Sequence, residues 1–226
     1  MTSTIIAPAS APGRGGISVI RLSGPLAVKV GEALCGRLEK PWKLKHCKIK
    51  RKDGNVIDTG LVVFFKSPNS YTGEDVVEIH SHGNPRIVDL IVEEGVTCGA
   101  EIAGPGEFTK RAYLNNKIDL AQAESVADLI SAQTEEAALA AHNSLSGQFS
   151  SDINSCIDSL VKSRVYVEAS IDFPDEGVEL AELAQTRSEI KKQLDFIEET
   201  LASAKRGVLV REGFSVVIVG PPNAGK

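Results

Sequence analysis

The clearest chemical signal lies in the last residues of the sequence, where a β-branched apolar run meets a glycine-rich loop. Residues 214–219 are Phe-Ser-Val-Val-Ile-Val, and residues 220–226 are Gly-Pro-Pro-Asn-Ala-Gly-Lys. A strand that leads into G-x-x-x-x-G-K is typical of the phosphate-binding loop of nucleoside triphosphatases. Its backbone N–H groups form an anion site, and Lys226 adds a mobile positive charge. The spacing therefore predicts phosphate binding, while the alternative is a glycine turn that closes a strand.

The groups that would complete such a nucleotide site are expected after Lys226. In this motif a Ser or Thr follows the lysine and binds Mg²⁺, and the sequence ends before that position. We therefore expect a longer chain, and we expect residues 1–226 by themselves to hydrolyse no nucleotide. The loop does not encode base preference, so spacing alone also allows an ATP-dependent kinase or assembly factor.

A second candidate is an acidic side chain inside an apolar strand. Residues 76–80 are Val-Val-Glu-Ile-His, and period-two alternation puts Glu78 and His80 on one face. A carboxylate there can accept two parallel N–H bonds from a planar edge such as an aminopyrimidine ring. The alternative is a solvent-facing strand residue. His80 and His82 have a spacing that could bind a metal, but no third ligand is evident, so a metal site is not favoured.

Three other stretches have weaker signals. Residues 105–120 combine charges, amides and aromatic rings, and Lys117 or Arg111 there could meet an anionic ligand; the alternative is a solvated connector with helix caps. Residues 42–52 are basic and include a tryptophan, which suits RNA, although a lysine-guarded edge strand is favoured. The glycines of residues 13–16 allow close approach of a ligand, but a flexible turn is favoured.

Composition narrows the class of protein. The 226 residues are 42% hydrophobic and 24% charged, which is ordinary for a globular chain, and the net charge of −5 argues against a generally nucleic-acid-coated surface. The four cysteines form no C-x-x-C pair, so we expect reduced thiols rather than a disulfide framework. No apolar run reaches the length of a membrane span and no targeting sequence is evident. We therefore expect a cytoplasmic protein without a membrane partner.

Hydrophobic periodicity separates a sheet-forming region from a helical one. Up to about residue 117 the sequence alternates as short strands do, and two helical patterns interrupt it, which predicts a sheet covered on one side. From Asp119 the apolar spacing becomes helical, which predicts an antiparallel bundle of long helices. Strands are predicted at residues 17–22, 44–50, 56–65, 76–80 and 97–103, and helices at about 23–34, with Ser23 as a cap, and at 84–94, 123–145, 149–171 and 183–201.

Several long motifs, taken in order, resemble the MnmE (TrmE) family of tRNA-modifying GTPases. The similarity begins near Thr4 and extends to the end of the chain, so it is more specific than the phosphate loop alone. The motifs are residues 13–16, 68–78, 105–130, 166–176 and 211–226.

The resemblance implies an α+β chain in three parts. These are a folate-binding α/β domain with a mixed sheet at residues 1–117, a helical domain at 118–212, and the first strand and P-loop of an inserted GTPase domain at 213–226. In the family the chain later returns to complete the helical bundle.

The resemblance also implies an activity and its ligands. Family members are potassium-dependent GTPases that work with the flavoprotein MnmG (GidA). Together they add a (carboxymethyl)aminomethyl-type group to C5 of the wobble uridine of tRNA, using a tetrahydrofolate-derived one-carbon unit. D-x-x-G and N-K-x-D motifs, and Mg²⁺ bound with GTP, are then expected in the continuation. A non-catalytic module that binds folate and dimerises is the alternative for this chain.

Carried over by position, the resemblance assigns binding roles to particular residues. The implied contacts of a 5-formyl-tetrahydrofolate type ligand are Arg21, Glu78 and Lys117. The implied nucleotide-binding residues are Asn223, Ala224, Gly225 and Lys226, with Asn223 also helping to hold K⁺. The N-terminal domain is implied to form the homodimer.

Overall fold

The chain divides into two compact units, Met1–Asp119 and Leu120–Lys226. The structure is a computed structural model that describes residues 3–172, 180–212, 217, 219 and 220. The first unit contains β1 (Ile5–Pro8), β2 (Gly15–Ser23), α1 (Ala27–Cys35), β3 (Lys45–Lys50), β4 (Val56–Phe65), β5 (Val76–Gly83), α2 (Pro85–Thr97), β6 (Glu101–Ile102) and α3 (Glu107–Leu114). The second contains α4 (Leu120–Ser131), α5 (Glu135–Leu145), α6 (Gln148–Asp172) and α7 (Leu180–Glu212).

The strands of the first unit form one mixed sheet of six strands. Their order is β3-β4-β5-β2-β1-β6. Only β1 and β6 pair in parallel, and the other neighbouring strands are antiparallel. Strands β2 and β5 therefore lie side by side at the centre of the sheet. Together with the helices, this confirms the predicted α+β class.

Helices α1 and α2 cover one face of this sheet. Ile20 of β2 and Ile79 of β5 are fully buried and share a core cluster with Val30 of α1 and Ile91 of α2. Each such side chain stabilises the fold by about 1.5–3 kcal/mol when it leaves water. Because side chains alternate along a strand, residues 21 and 78 point to the opposite face, which α1 and α2 leave open.

The predicted helix cap at Ser23 is wrong. The Ser23 hydroxyl instead bonds Thr72 Oγ1 and Glu74 Oε2, both at 2.7 Å. Helix α1 begins four residues later, where the Leu26 amide donates to Thr4 Oγ1 at 2.7 Å. Tertiary partners have therefore replaced the local capping bond that the sequence suggested.

Two other predicted elements differ in extent. The strand predicted at residues 97–103 is reduced to Glu101–Ile102, because α2 continues as far as Thr97. The helix predicted at residues 123–145 is two helices, since Thr134 adopts an extended conformation and its Oγ1 accepts from Ala137 N at 3.1 Å as an N-cap. The predicted break at Gly147 is present, with φ of 86°.

The helices of the second unit pack against one another in pairs. Helix α4 packs on α5 and α6 packs on α7, while α5 also contacts α6 and α7. Across the described residues, no helix is both long enough and apolar enough to cross a membrane. The residues Asn223, Ala224, Gly225 and Lys226 lie outside the described residues, as does most of the strand predicted before them.

Candidate functional site

Arg21 and Glu78 form an ion pair on the open face of the sheet. Their Cα atoms are direct partners in the register of β2 and β5. Nε and Nη2 of Arg21 each lie 2.8 Å from Oε1 of Glu78. The two side chains are 24% and 17% exposed, so water screens this charge-assisted pair less than a surface pair. The fold thus joins two residues that are 57 positions apart in the sequence.

Two aromatic rings from different segments lie next to the Arg21 guanidinium. Its Cζ is 5.1 Å from the ring centroid of Tyr71, which precedes β5, and 5.5 Å from that of Phe108 in α3. The Tyr71 hydroxyl lies 2.8 Å from Thr109 Oγ1, which ties the loop to the helix. Cations are attracted to ring faces at these distances, so the rings help to orient Arg21. Aromatic rings beside a few polar groups are also a common lining of small-molecule sites.

The loop that carries Tyr71 is fixed by one buried hydrogen bond and one partly buried one. Thr72 is fully buried, its hydroxyl lies 2.7 Å from Ser23 Oγ, and its carbonyl accepts from Asn115 Nδ2 at 2.7 Å. Buried polar groups that are fully paired favour a single conformation. The loop therefore places Tyr71 at a fixed position beside the ion pair.

Arg111 clamps α3 to this loop and to the start of the chain. It is 8% exposed, and its Nη1 lies 2.7 Å from Ser3 O and 3.1 Å from Glu74 Oε2. Its Nη2 lies 3.0 Å from Glu107 Oε1. The hydrogen bond from the Gly104 amide, and to a smaller extent Arg111, keep the pKa of the Glu107 carboxyl below its usual range, although burial by itself raises this pKa. The interpretation of Arg111 as a contact for an external anion is therefore wrong, because internal carboxylates occupy it.

Lys117 lies at the edge of the same loop. Its amide donates to Ala112 O at 2.9 Å, which fixes the turn after α3. A Cβ on Gly73, whose φ is +76°, would lie 3.1 Å from Lys117 Cγ. The lysine stem thus packs on the backbone next to Tyr71, while the side chain is exposed and, within the described part of the chain, has no acidic partner. No described contact joins Lys117 directly to the Arg21–Glu78 pair.

The two histidines of β5 have different surroundings. His80 Nε2 is a buried atom 3.7 Å from Glu78 Oε2 and has no hydrogen-bond partner among the described residues. His82 is exposed, and its Nδ1 lies 2.8 Å from Asp58 Oδ1. Over the described ranges, no three His, Cys, Asp or Glu side chains cluster as metal ligands. The spacing of the histidines therefore does not build a metal site in this part of the chain.

Asp58 makes stability sensitive to acid. Burial opposes its ionisation, but the His82 amide at 2.8 Å, the His82 ring and the Thr59 amide together hold its pKa below the usual range. A carboxyl with a lowered pKa in the folded state contributes stability that is present above the unfolded pKa of about 4 and is lost as pH falls through the folded pKa. We expect Asp58→Asn to lower stability at neutral pH and to flatten its fall on acidification.

Hydrogen exchange of the β5 amides in urea at neutral and acidic pH measures this effect. Asp89→Asn, at an exposed position of α2, is the matched control and should keep the wild-type pH profile. An Asp58→Asn profile that fell as steeply as the wild type would contradict the prediction.

Sequence reasoning assigned no role to several residues of this site. Tyr71, Phe108 and Thr72 lie within the stretches noted above, but only the fold shows that they meet Arg21 or anchor its loop. Of the remaining stretches, the basic one contains the edge strand that was favoured, whereas the turn favoured for residues 13–16 is wrong for Gly15 and Gly16, which belong to β2 of the sheet. Residues 45–50 form the edge strand β3, and residues 13–16 are exposed at the start of β2.

Fold and site together define the class of protein: a mixed-sheet domain with a half-buried carboxylate site, followed by a helical domain. Residues 4–117 match the family model described as GTP-binding protein TrmE N-terminus. Residues 120–215 match the model described as MnmE helical domain. The chain belongs to the MnmE (TrmE) family.

Several curated relatives match over nearly the whole chain. Proteins described as "tRNA modification GTPase MnmE" from Haemophilus influenzae strain PittGG and from Shewanella amazonensis are 47% identical over 227 and 226 residues, which is 100% of this chain and 50% of each relative. The protein of that description from Neisseria meningitidis serogroup C is 47% identical over 223 residues, or 99% of this chain and 50% of the relative. The chain spans about half the length of the curated relatives it matches.

Proposed function

We propose that the first unit binds a tetrahydrofolate derivative of the 5-formyl type on the open face of its sheet. The observation that carries this proposal is the half-buried Glu78 carboxylate beside the Arg21 guanidinium and two aromatic rings. A pterin ring is flat, presents N–H donors along one edge and suits such a lining.

The cations of the site suit the other parts of the same ligand. Nη1 of Arg21 has no hydrogen-bond partner among the described residues and can bind a formyl or carbonyl oxygen while Nε and Nη2 hold Glu78. The exposed Lys117 ammonium at the rim can bind a carboxylate of the glutamate tail. When bound, the folate would supply the one-carbon unit, and these residues would orient it.

For the whole protein, we propose a GTP-hydrolysing enzyme that modifies the wobble uridine of tRNA. Its support is the match to relatives described as tRNA modification GTPases. In this proposal the one-carbon unit and the flavoprotein MnmG build the aminomethyl-type group at C5, and GTP hydrolysis with Mg²⁺ and K⁺ drives the cycle. The K⁺ ligand would be Asn223, in the loop whose lysine binds the phosphates. Residues 1–226 alone would bind folate without turning over GTP.

The proposed assembly is a cytoplasmic homodimer formed through the first unit. The helical unit would connect this dimer to the GTPase domain, and the chain would return to complete the helical bundle. Exposed apolar side chains on its helices support a bundle that needs a further packing partner. Those side chains include Ile130, Phe149, Ile157, Ile171 and Leu194.

Calorimetric titration of 5-formyl-tetrahydrofolate into the 226-residue chain tests the folate proposal. We expect saturable binding with one ligand per chain, and we expect Lys117→Ala to raise Kd about two- to fivefold, because an exposed ion pair contributes little free energy. Lys110→Ala, exposed on α3, is the matched control and should bind like the wild type. Absence of saturable binding by the wild-type chain would refute the proposal.

A further inference from the structure

A run of cations lies along one edge of the sheet in the first unit. Seven Lys or Arg residues fall within residues 40–52, which contain no acidic residue, although the whole chain has a net charge of −5. Strand β3 is in the middle of this run and is an outermost strand of the sheet. All seven side chains are exposed, and none forms an ion pair with a carboxylate among the described residues. These seven cations, here called the basic edge, are therefore a local concentration of positive charge on an acidic chain.

The basic edge extends further than the protection of an edge strand requires. Charged side chains and irregular pairing on an outer strand oppose its pairing with another chain, and β3 has both, with a register shift between Ile49 and Lys50. Lys40 and Lys43 precede the strand, however, and two further cations follow it. Cations outside the strand do not guard its backbone, so they indicate a further role.

Trp42 presents an exposed aromatic ring at the end of the same edge. Its amide donates to Phe64 O at 2.8 Å, just beyond the point where β3 and β4 begin to pair at Lys45 and Val62. Its ring lies edge-on to that of Phe65, with the centroids 4.9 Å apart, and the residue is 60% exposed. Its φ of 63° is rare for a bulky residue, and such backbone strain is concentrated at ligand sites. The fold therefore keeps a large aromatic surface in water beside the basic edge.

Exposed cations beside an exposed aromatic ring are the elements of a surface that binds single-stranded nucleic acid. Side chains on one face of a strand recur about 6–7 Å apart, so these cations form a line that can follow a phosphate backbone, whereas a membrane would meet a broad patch. Resting on the proposed tRNA function, we propose that the basic edge binds the phosphate backbone of tRNA and that Trp42 stacks on an unpaired base. Strand β4 separates β3 from β5, so this surface is distinct from the Arg21–Glu78 site.

Fluorescence anisotropy of a labelled tRNA transcript, titrated with the 226-residue chain at several salt concentrations, tests the proposal. Combining Lys43→Gln, Lys48→Gln and Lys50→Gln should raise Kd about tenfold or more at low salt. The same variant should lower the slope of log Kd against log salt by about 2, because up to three fewer counterions are released on binding. Glutamine keeps the edge polar, and thermal unfolding confirms that the variant is folded.

A matched variant separates the position of the cations from the net charge. Combining Lys29→Gln, Lys162→Gln and Lys191→Gln removes the same charge from exposed positions outside the basic edge, and it should keep the wild-type slope. Trp42→Ala should raise Kd about fivefold or more without changing the slope, because it removes a stacking surface and no cation. Trp42→Tyr keeps an aromatic face and should retain most of the affinity.

Four results would overturn the inference. These are a wild-type chain that does not bind the transcript at low salt, equal effects of the two triple variants, a wild-type Kd for folded Trp42→Ala, and binding to phosphatidylglycerol vesicles in place of RNA. The proposed function fails separately, if the whole protein with MnmG leaves the wobble uridine unmodified. A whole protein that modifies tRNA, while residues 1–226 bind no RNA, overturns only the present inference.

Discussion

Replacing Arg111 with leucine is expected to destabilise the first unit by about 3–5 kcal/mol, the cost of breaking a buried ion pair on one side. The Arg111 side chain is 9% exposed, and its partners Glu74 and Glu107 are 14% and 28% exposed. Leucine would leave both carboxylates without their cation and would release the Ser3 carbonyl. Glu74 also accepts a hydrogen bond from Ser23. The loss of stability should therefore extend to the loop before β5. Hydrogen exchange of the β2 and β5 amides measures this loss for the unit itself.

A matched substitution separates burial from charge in this prediction. Arg86 pairs with Glu93 on the surface of α2, where the side chains are 67% and 61% exposed. Arg86→Leu should change stability by no more than about 0.5 kcal/mol. Adding Glu74→Gln and Glu107→Gln to Arg111→Leu should recover part of the lost stability, because neither position then carries an unpaired charge. Equal effects of the two arginine substitutions would show that the clamp does not stabilise the unit.

Strands β2 to β5 and their faces were predictable from local pattern, whereas β1 was not predicted. The β4 strand has the predicted bounds, and β2 and β5 extend the predicted ones by a few residues at their ends, because period-two alternation reflects burial of one face. Helix α3 was not predicted, since it is only eight residues long, half of them polar, and it follows Gly106, whose φ is +69°. Its stability depends on Arg111, and such long-range contacts leave no periodic signal.

The site was only partly predictable, because its contacts join distant parts of the sequence. An acidic residue in an apolar strand identified Glu78 as a candidate, but nothing local to β2 singled out Arg21. Their pairing requires β2 to lie next to β5. The ring contacts of Tyr71 and Phe108 with Arg21 also require the loop before β5 and helix α3 to be in place. Residue types therefore indicate what a site can do, whereas strand order decides which residues form it.

Glu78→Ala should weaken binding of 5-formyl-tetrahydrofolate by about 2–4 kcal/mol, or roughly 30- to 700-fold in Kd. The variant removes the acceptor of the ring N–H and also leaves Arg21 without its partner. Glu78→Gln keeps the shape but loses the charge, so its affinity should fall between those of the wild type and the alanine variant. Because Arg21 is 24% exposed, water can solvate it in the variant, and the fold should survive. Titration gives Kd, and thermal unfolding confirms that the variant is folded.

The control for this prediction is a carboxylate outside the site. Glu93, on the exposed face of α2, pairs only with Arg86 among the described residues, and Glu93→Ala should leave Kd unchanged. A folded Glu78→Ala variant with wild-type affinity would place the pterin elsewhere. A strong loss in Glu78→Ala together with a small loss in Lys117→Ala is the expected pattern. A half-buried carboxylate would then recognise the ring and an exposed ammonium would only assist the glutamate tail, since electrostatic attraction is stronger where water is excluded.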